Sequence, residues 1–283
     1  MEKRRYGETN IKLSVVGFGG ILVMNEKQET ANRIVAEAIE RGINYFDVAP
    51  TYGNAEERLG PALEPYRDSV FLACKTAKRT KEEALEELHQ SLKRLRTDHF
   101  NLYQLHGVTT LDEVNQIFSE GGAIEAFIDA REQGLIKHIG FSAHSEEAAL
   151  ALLDRFSFDS ILFPINWVCW FQGKFGPRVV GKAKEKKAAM LAIKTLAKRR
   201  LKEGEKRKWP KCWYAPVDSF EEALMAVRFT LSLPVTSAVT PGHVELFRWM
   251  CNAAERFKPL SEEEKRAIAE KSRGLEPIFP QKS

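Results

Sequence analysis

Eight short apolar, β-branched runs, most of them followed by a stretch of helical period, succeed one another along this 283-residue chain. The runs fall at 15–18, 45–48, 70–74, 102–105, 139–141, 161–165, 190–193 and 235–239. Helical stretches fall at 29–41, 81–94, 122–132, 146–154, 179–187, 220–232, 244–256 and 262–271. Parallel strands need crossovers, usually helices, and strands covered on both faces read as nearly continuous apolar runs. Strict alternation over this length predicts an α/β fold, a closed (β/α)8 TIM barrel, with an open doubly wound sheet as its main rival. A third glycine and an immediately following helix are missing from the "GFGG" stretch at Gly17–Gly20, which disfavours the rival. Thr80 and Glu83 read as a capping box for the helix at 81–94, with Ala84, Leu88, Leu92 and Leu95 on its inner face.

Residues 1–283 read as a single domain, since 43% hydrophobic content fills one large core and no linker-like spacer interrupts it. The start of the chain reads as a β-hairpin, 4–6 with 12–16 around a turn at 7–10, rather than a targeting segment. No stretch approaches the length of a membrane-spanning helix, so no membrane partner is expected. Cys74, Cys169, Cys212 and Cys251 are scattered without metal-ligand spacing, which implies reduced thiols, a cytoplasmic setting and no metal. Net charge is +4, but residues 182–211 carry thirteen lysines and arginines against three glutamates. Such a stripe attracts phosphates or is simply a solvated surface; without a recognised motif it does not make a nucleic-acid binder.

In parallel barrels the chemistry sits at the carboxyl ends of the strands. "NYFDVAPTYG" puts Asp47 at the end of the second run and Tyr52 in the loop after it. "FLACK" puts Lys75 at the end of the third, and "LYQLH" puts His106 at the end of the fourth. Each alone has a plain structural explanation: a turn cap, a wet aromatic, a snorkelling lysine, a core histidine. Together, at successive strand ends, they describe one cavity. A lysine cation beside a phenol favours the phenolate and lowers its pKa, a carboxylate keeps the lysine charged, and an imidazole orients a carbonyl oxygen.

These segments resemble the aldo-keto reductase superfamily: "NYFDVAPTYGNAEERLG" its first signature, "FLACKT" its lysine strand, "NLYQLH" its histidine strand. The resemblance runs from "VVGFGG" to "TPGHVELFRWMCN" and implies NAD(P)H-dependent reduction of aldehydes or ketones, with Asp47, Tyr52, Lys75 and His106 as catalytic tetrad. It implies a cofactor set of Gly19, Gly20, Asp47, Ser142, Asn166, Ile193, Lys194, Leu196, Gly242, Arg248 and Asn252. Three positions depart from the family pattern. Leu162 stands where a carboxamide-binding glutamine is usual, Ile193 replaces a stacking aromatic, and Cys251 replaces an acid. Arg248 and the basic stripe favour NADP(H) over NAD(H). The long segment at 197–217 has the length of a lid. Its Trp209, Trp213 and Tyr214, with Ile21, Leu22, Trp167 and Trp170, would line a mouth suited to an apolar or aromatic carbonyl substrate; packing of the loop is the alternative. Two other classes stay open, a cofactor-sensing module and a lyase or isomerase working through a Lys75 Schiff base.

Overall fold

The computed structural model describes residues 1–281. Two strands, β1 (Lys3–Arg5) and β2 (Lys12–Ser14), pair antiparallel with Arg4 opposite Leu13, giving the expected hairpin. The barrel strands follow as β3 (Val16–Gly19), β4 (Tyr45–Asp47), β5 (Phe71–Thr76), β6 (Phe100–Val108), β7 (Ile136–Ala143), β8 (Ser160–Pro164) and β9 (Ala189–Ile193). After a small antiparallel pair, β10 (Ala197–Arg199) with β11 (Ala215–Pro216), the last strand β12 (Ser237–Val239) closes the ring between β9 and β3. All eight barrel pairings are parallel. The fold is the (β/α)8 TIM barrel.

Helices α1 (Gln28–Glu40), α2 (Ala55–Leu63), α3 (Lys81–Arg94), α4 (Leu111–Ile117), α5 (Ala123–Glu132) and α6 (Glu146–Arg155) cover one half of the ring. Helices α7 (Trp167–Phe171), α8 (Pro177–Glu185), α9 (Phe220–Leu231), α10 (Val244–Glu255) and α11 (Glu262–Ser272) complete the cover. The stretch after the Pro50–Gly53 turn reads as the start of a helix, and α2 forms there with Pro61 inside it, at the loss of one backbone donor. The expected capping box at Thr80 does not form. Thr80 Oγ1 donates 2.7 Å to the Glu83 carboxylate, leaving the helix amides without that cap. Capping boxes form instead at Thr110/Glu113 and Ser261/Glu264. The inner face of α3 is as expected, with Ala84, Leu88, Leu92 and Leu95 all buried.

The two-residue period of a strand sorts each barrel strand into an inner and an outer set. The outer set, with Phe46, Leu72, Tyr103 and Phe141, meets the helices in the main core. The inner set includes Tyr45, Phe71, Ala73, Leu102, Leu162 and Leu191, packed with Tyr6 and Leu13 of the hairpin. Tyr6 is fully buried and donates 2.8 Å to Ser160 Oγ at the start of β8. Gly7 turns there with φ 55°, where an added Cβ would meet Lys187 O at 3.4 Å. The hairpin therefore closes the amino-terminal mouth. The carboxyl-terminal mouth stays open, and the next inner residues along each strand face it.

Candidate active site

That inner period continues outward from Tyr45 to Asp47, from Ala73 to Lys75, from Leu102 through Gln104 to His106, and from Gly140 to Ser142. Pairing sets them side by side, with Asp47 opposite Ala73 and Lys75 opposite Gln104. Asp47, Tyr52, Lys75, His106 and Ser142 all line one pocket of about 260 Å³ at the open mouth.

Lys75 is fully buried, and its ammonium is hydrogen-bonded to Asp47 Oδ1. It also approaches Val48 O at 3.3 Å and Tyr52 Oη at 3.5 Å, and lies 5.1 Å from the Tyr52 ring centroid. Burial alone would depress its pKa; the charge of Asp47 outweighs burial and raises it. The second Asp47 oxygen accepts from Tyr45 Oη at 3.0 Å and Gln104 Nε2 at 2.9 Å. The motifs do not single out Tyr45 and Gln104. Each stands two residues before a rim residue on the same strand face, a weak signal shared with any core hydrogen bond.

The Tyr52 phenol corrects one expectation. Burial raises its pKa more than the neighbouring Lys75 charge lowers it, so the free protein holds the phenol protonated. His106 stands edge-on to Tyr52, ring centroids 5.8 Å apart, with Nδ1 3.4 Å from Thr51 Oγ1. Burial and the Lys75 charge push its pKa down to about 2, so the imidazole is neutral. His144 also lines the pocket and is held down to about 4 by burial and by the Lys194 and Lys75 charges.

The pocket continues past Gly19, Ile193, Lys194 and Leu196 to Gly242. An added Cβ on Gly19 would fall 2.3 Å from Thr240 O, so β3 and β12 can meet only through glycine there. Gly20 does not line the pocket; it makes room for Val48, whose Cβ would be 2.7 Å away. Asn166 is also spent elsewhere. Its side chain caps α7 by accepting from Cys169 N at 2.9 Å. Arg248 and Asn252 lie on α10 outside the pocket lining. Arg248 grips the Glu37 carboxylate at 2.8–3.2 Å, and Asn252 accepts from Arg41 at 2.9 Å.

The outer wall is the segment around Lys211–Tyr214. Lys211 donates its amide to His243 Nε2 at 3.0 Å and its ammonium to Leu22 O and the Glu26 carboxylate, at 2.9 and 3.0 Å. Of the aromatic and aliphatic residues expected at the mouth, Ile21, Trp213 and Tyr214 line it. Trp209 lines a neighbouring hollow, and Leu22, Trp167 and Trp170 are not in the lining.

Residues 15–272 match the Aldo/keto reductase family. The chain belongs to that family. It is 36% identical over 157 residues to an uncharacterized oxidoreductase of Bacillus subtilis, YqkF, covering 50% of this chain and 49% of that one. It is 29% identical over 170 residues to an L-galactose dehydrogenase of Arabidopsis thaliana, covering 55% and 52%. These matches span about half the length of the curated relatives. Over its whole length the chain superimposes on the holo form of an aldo-keto reductase from Bacillus halodurans, with TM-score 0.78, 25% identity and 100% coverage of both. Among the described residues no helix is long and apolar enough to cross a membrane, and no group of His, Cys, Asp and Glu is arranged to hold a metal.

Proposed function

We propose that this aldo/keto reductase reduces aldehydes or ketones to alcohols with a nicotinamide cofactor, NADP(H) in preference to NAD(H), and that Tyr52 supplies the proton. The observation that carries the reading is the buried Lys75, bound to Asp47 and within 3.5 Å of the Tyr52 hydroxyl.

The residues present fit the cofactor. Ser142 accepts from Gly107 N at 2.8 Å, which leaves its own proton to donate into the pocket. Thr195 Oγ1, also in the lining, is buried without a partner. Helix α10 begins beside Gly242 with no side-chain cap, so its first amides are free for a phosphate. In this reading Ser142 holds the carboxamide, Ile193 gives the nicotinamide an apolar face, and Leu196 and Gly242 border the phosphates. The preference for NADP(H) rests on Arg248, supported by the basic strap; Arg248 would exchange one Glu37 contact for a 2′-phosphate. A Kd ratio unaffected by Arg248→Ala would count against that preference.

When bound, the reduced cofactor supplies a hydride to the carbonyl carbon. His106, neutral over the whole working range, donates a hydrogen bond to the carbonyl oxygen and orients it. The Tyr52 phenol, protonated at rest, gives its proton as negative charge develops on that oxygen. The ammonium of Lys75 then stabilises the phenolate left behind, and Asp47 keeps that ammonium charged inside the barrel. A Schiff base through Lys75 is disfavoured, because an amine nucleophile must first be neutral and Asp47 opposes that. All four cysteines are buried and unbridged, compatible with a reducing, cytoplasmic setting.

The test is Tyr52→Phe with NADPH and an aldehyde panel. A 10²–10⁴-fold fall in kcat, with cofactor affinity retained, is expected for loss of a general acid. Near wild-type turnover in a folded variant overturns the assignment.

A further inference from the structure

The pocket has an uneven charge balance. Among the described residues Asp47 is the only carboxylate in its lining, and Lys75 already occupies it. Lys211 is neutralised by Glu26 at 3.0 Å. Lys194 has neither a hydrogen bond nor a carboxylate partner among the described residues. Its ammonium instead lies over two ring faces, 5.3 Å from the Tyr214 centroid and 5.7 Å from that of Trp213. The backbone of Lys194 is left-handed, with φ 64°, a strained conformation for a residue with a side chain. Beside it in the wall is His144, clamped flat against Phe279 at 5.3 Å, with Nε2 buried and unpartnered.

Lys211, paired with Glu26, and the unpaired Lys194 serve different ends of the pocket. The charge of Lys211 bears on His243, at the start of α10, where the cofactor phosphate fits. The charge of Lys194 bears on His106 and His144, at the carbonyl end. Burial, reinforced by Lys75, pulls the pKa of Lys194 down to about 8, the mark of a cation lacking a counter-charge. Lys194 is half-buried in the pocket wall, and a ligand anion would supply the counter-charge that its ammonium lacks.

We infer that the carbonyl substrate of this enzyme carries a carboxylate, which docks on Lys194 with His144 as a second donor. The inference rests on the carbonyl-reductase reading and refines the expected apolar substrate to an oxo acid whose apolar body meets Trp213 and Tyr214. It also moves Lys194 from the cofactor set to the substrate.

The experiment compares each acid with its uncharged ester: pyruvate with methyl pyruvate, and 4-carboxybenzaldehyde with methyl 4-formylbenzoate. The wild type is expected to favour the acid of at least one pair in kcat/KM. Lys194→Met is expected to lower that acid-to-ester ratio about tenfold to a hundredfold, the range of a charged hydrogen bond. Benzoate titrations of tryptophan fluorescence, with NADP+ present, test the site without turnover. Lys194-dependent binding supports the proposal even where no carbonyl is reduced, in which case the reductase reading is what fails. No acid preference in either pair, or no benzoate binding, overturns the proposal. So does an acid-to-ester ratio that survives Lys194→Met while cofactor affinity falls, since Lys194 then serves the cofactor.

Discussion

The Asp47 carboxylate spends its two oxygens differently. One holds Lys75; the other accepts from Tyr45 and Gln104, two neutral donors inside the barrel. Gln104 Oε1 is itself buried without a partner, a cost of about 1–3 kcal/mol that the fold tolerates to keep the amide on Asp47. Gln104→Met, similar in volume but no donor, should leave Asp47 less firmly oriented and lower kcat about tenfold, while Gln104→Leu behaves alike. Steady-state kinetics beside a thermal melt separates this from general destabilisation. At this scale the four rim residues were legible because each ends an apolar run or follows one. Tyr45 and Gln104 were not, since a polar residue within an apolar strand reads equally well as a core hydrogen bond. The adenine-side expectations depended on more distant geometry: Arg248 and Asn252 have partners, Glu37 and Arg41, that lie 211 residues away.

At the scale of elements, strand positions followed from apolar runs, while ends and caps followed from tertiary context. The threonine expected to cap α3 turns its hydroxyl to Glu83, and the working capping boxes stand before α4 and α11. Ser261→Ala should therefore cost about 1 kcal/mol and lower Tm by about 2–4 °C. Thr80→Ala should do less, because no helix amide loses its cap; parallel calorimetric scans decide. The segment at 197–217 was legible as a long basic loop but not as a strap. Its ends are pinned by β10 with β11, and its middle by Lys211 reaching Leu22 and Glu26 on the other side of the mouth. Glu26→Gln weakens only that partly exposed anchor, worth about 1 kcal/mol, and should speed cofactor release several-fold in stopped-flow measurements. An unchanged release rate would mean the strap does not gate the cofactor.

For the molecule as a whole, the basic stripe changes meaning once folded. Lys182, Lys186, Lys187, Lys198, Arg200 and Lys211 reach carboxylates on other segments, and Arg199 reaches Glu205 within the stripe, so much of the local charge is neutralised on the surface. The pH response is governed instead by histidines at the open mouth. His106, His144 and His243 all have folded pKa values below the ordinary 6.5, burial being the first cause of each. The unfolded chain therefore binds protons near pH 6.5 that the folded chain refuses, and stability must rise with pH across that interval. Stability is fully present above about 6.5 and is lost as the pH falls towards about 4 for His144, and further still for His106. Carboxylates lowered by partners, such as Asp159 beside His138 and Glu264 beside Arg228, add their loss only below their own unfolded values near 4. The interval between pH 6.5 and 4.5 thus reports the histidines almost alone. Tm should decline through it in the wild type and decline less steeply in His144→Gln, which keeps a polar side chain but cannot take up a proton there. A flat wild-type profile would mean that the mouth admits water and lets these imidazoles ionise, and the neutral His106 donor would go with it.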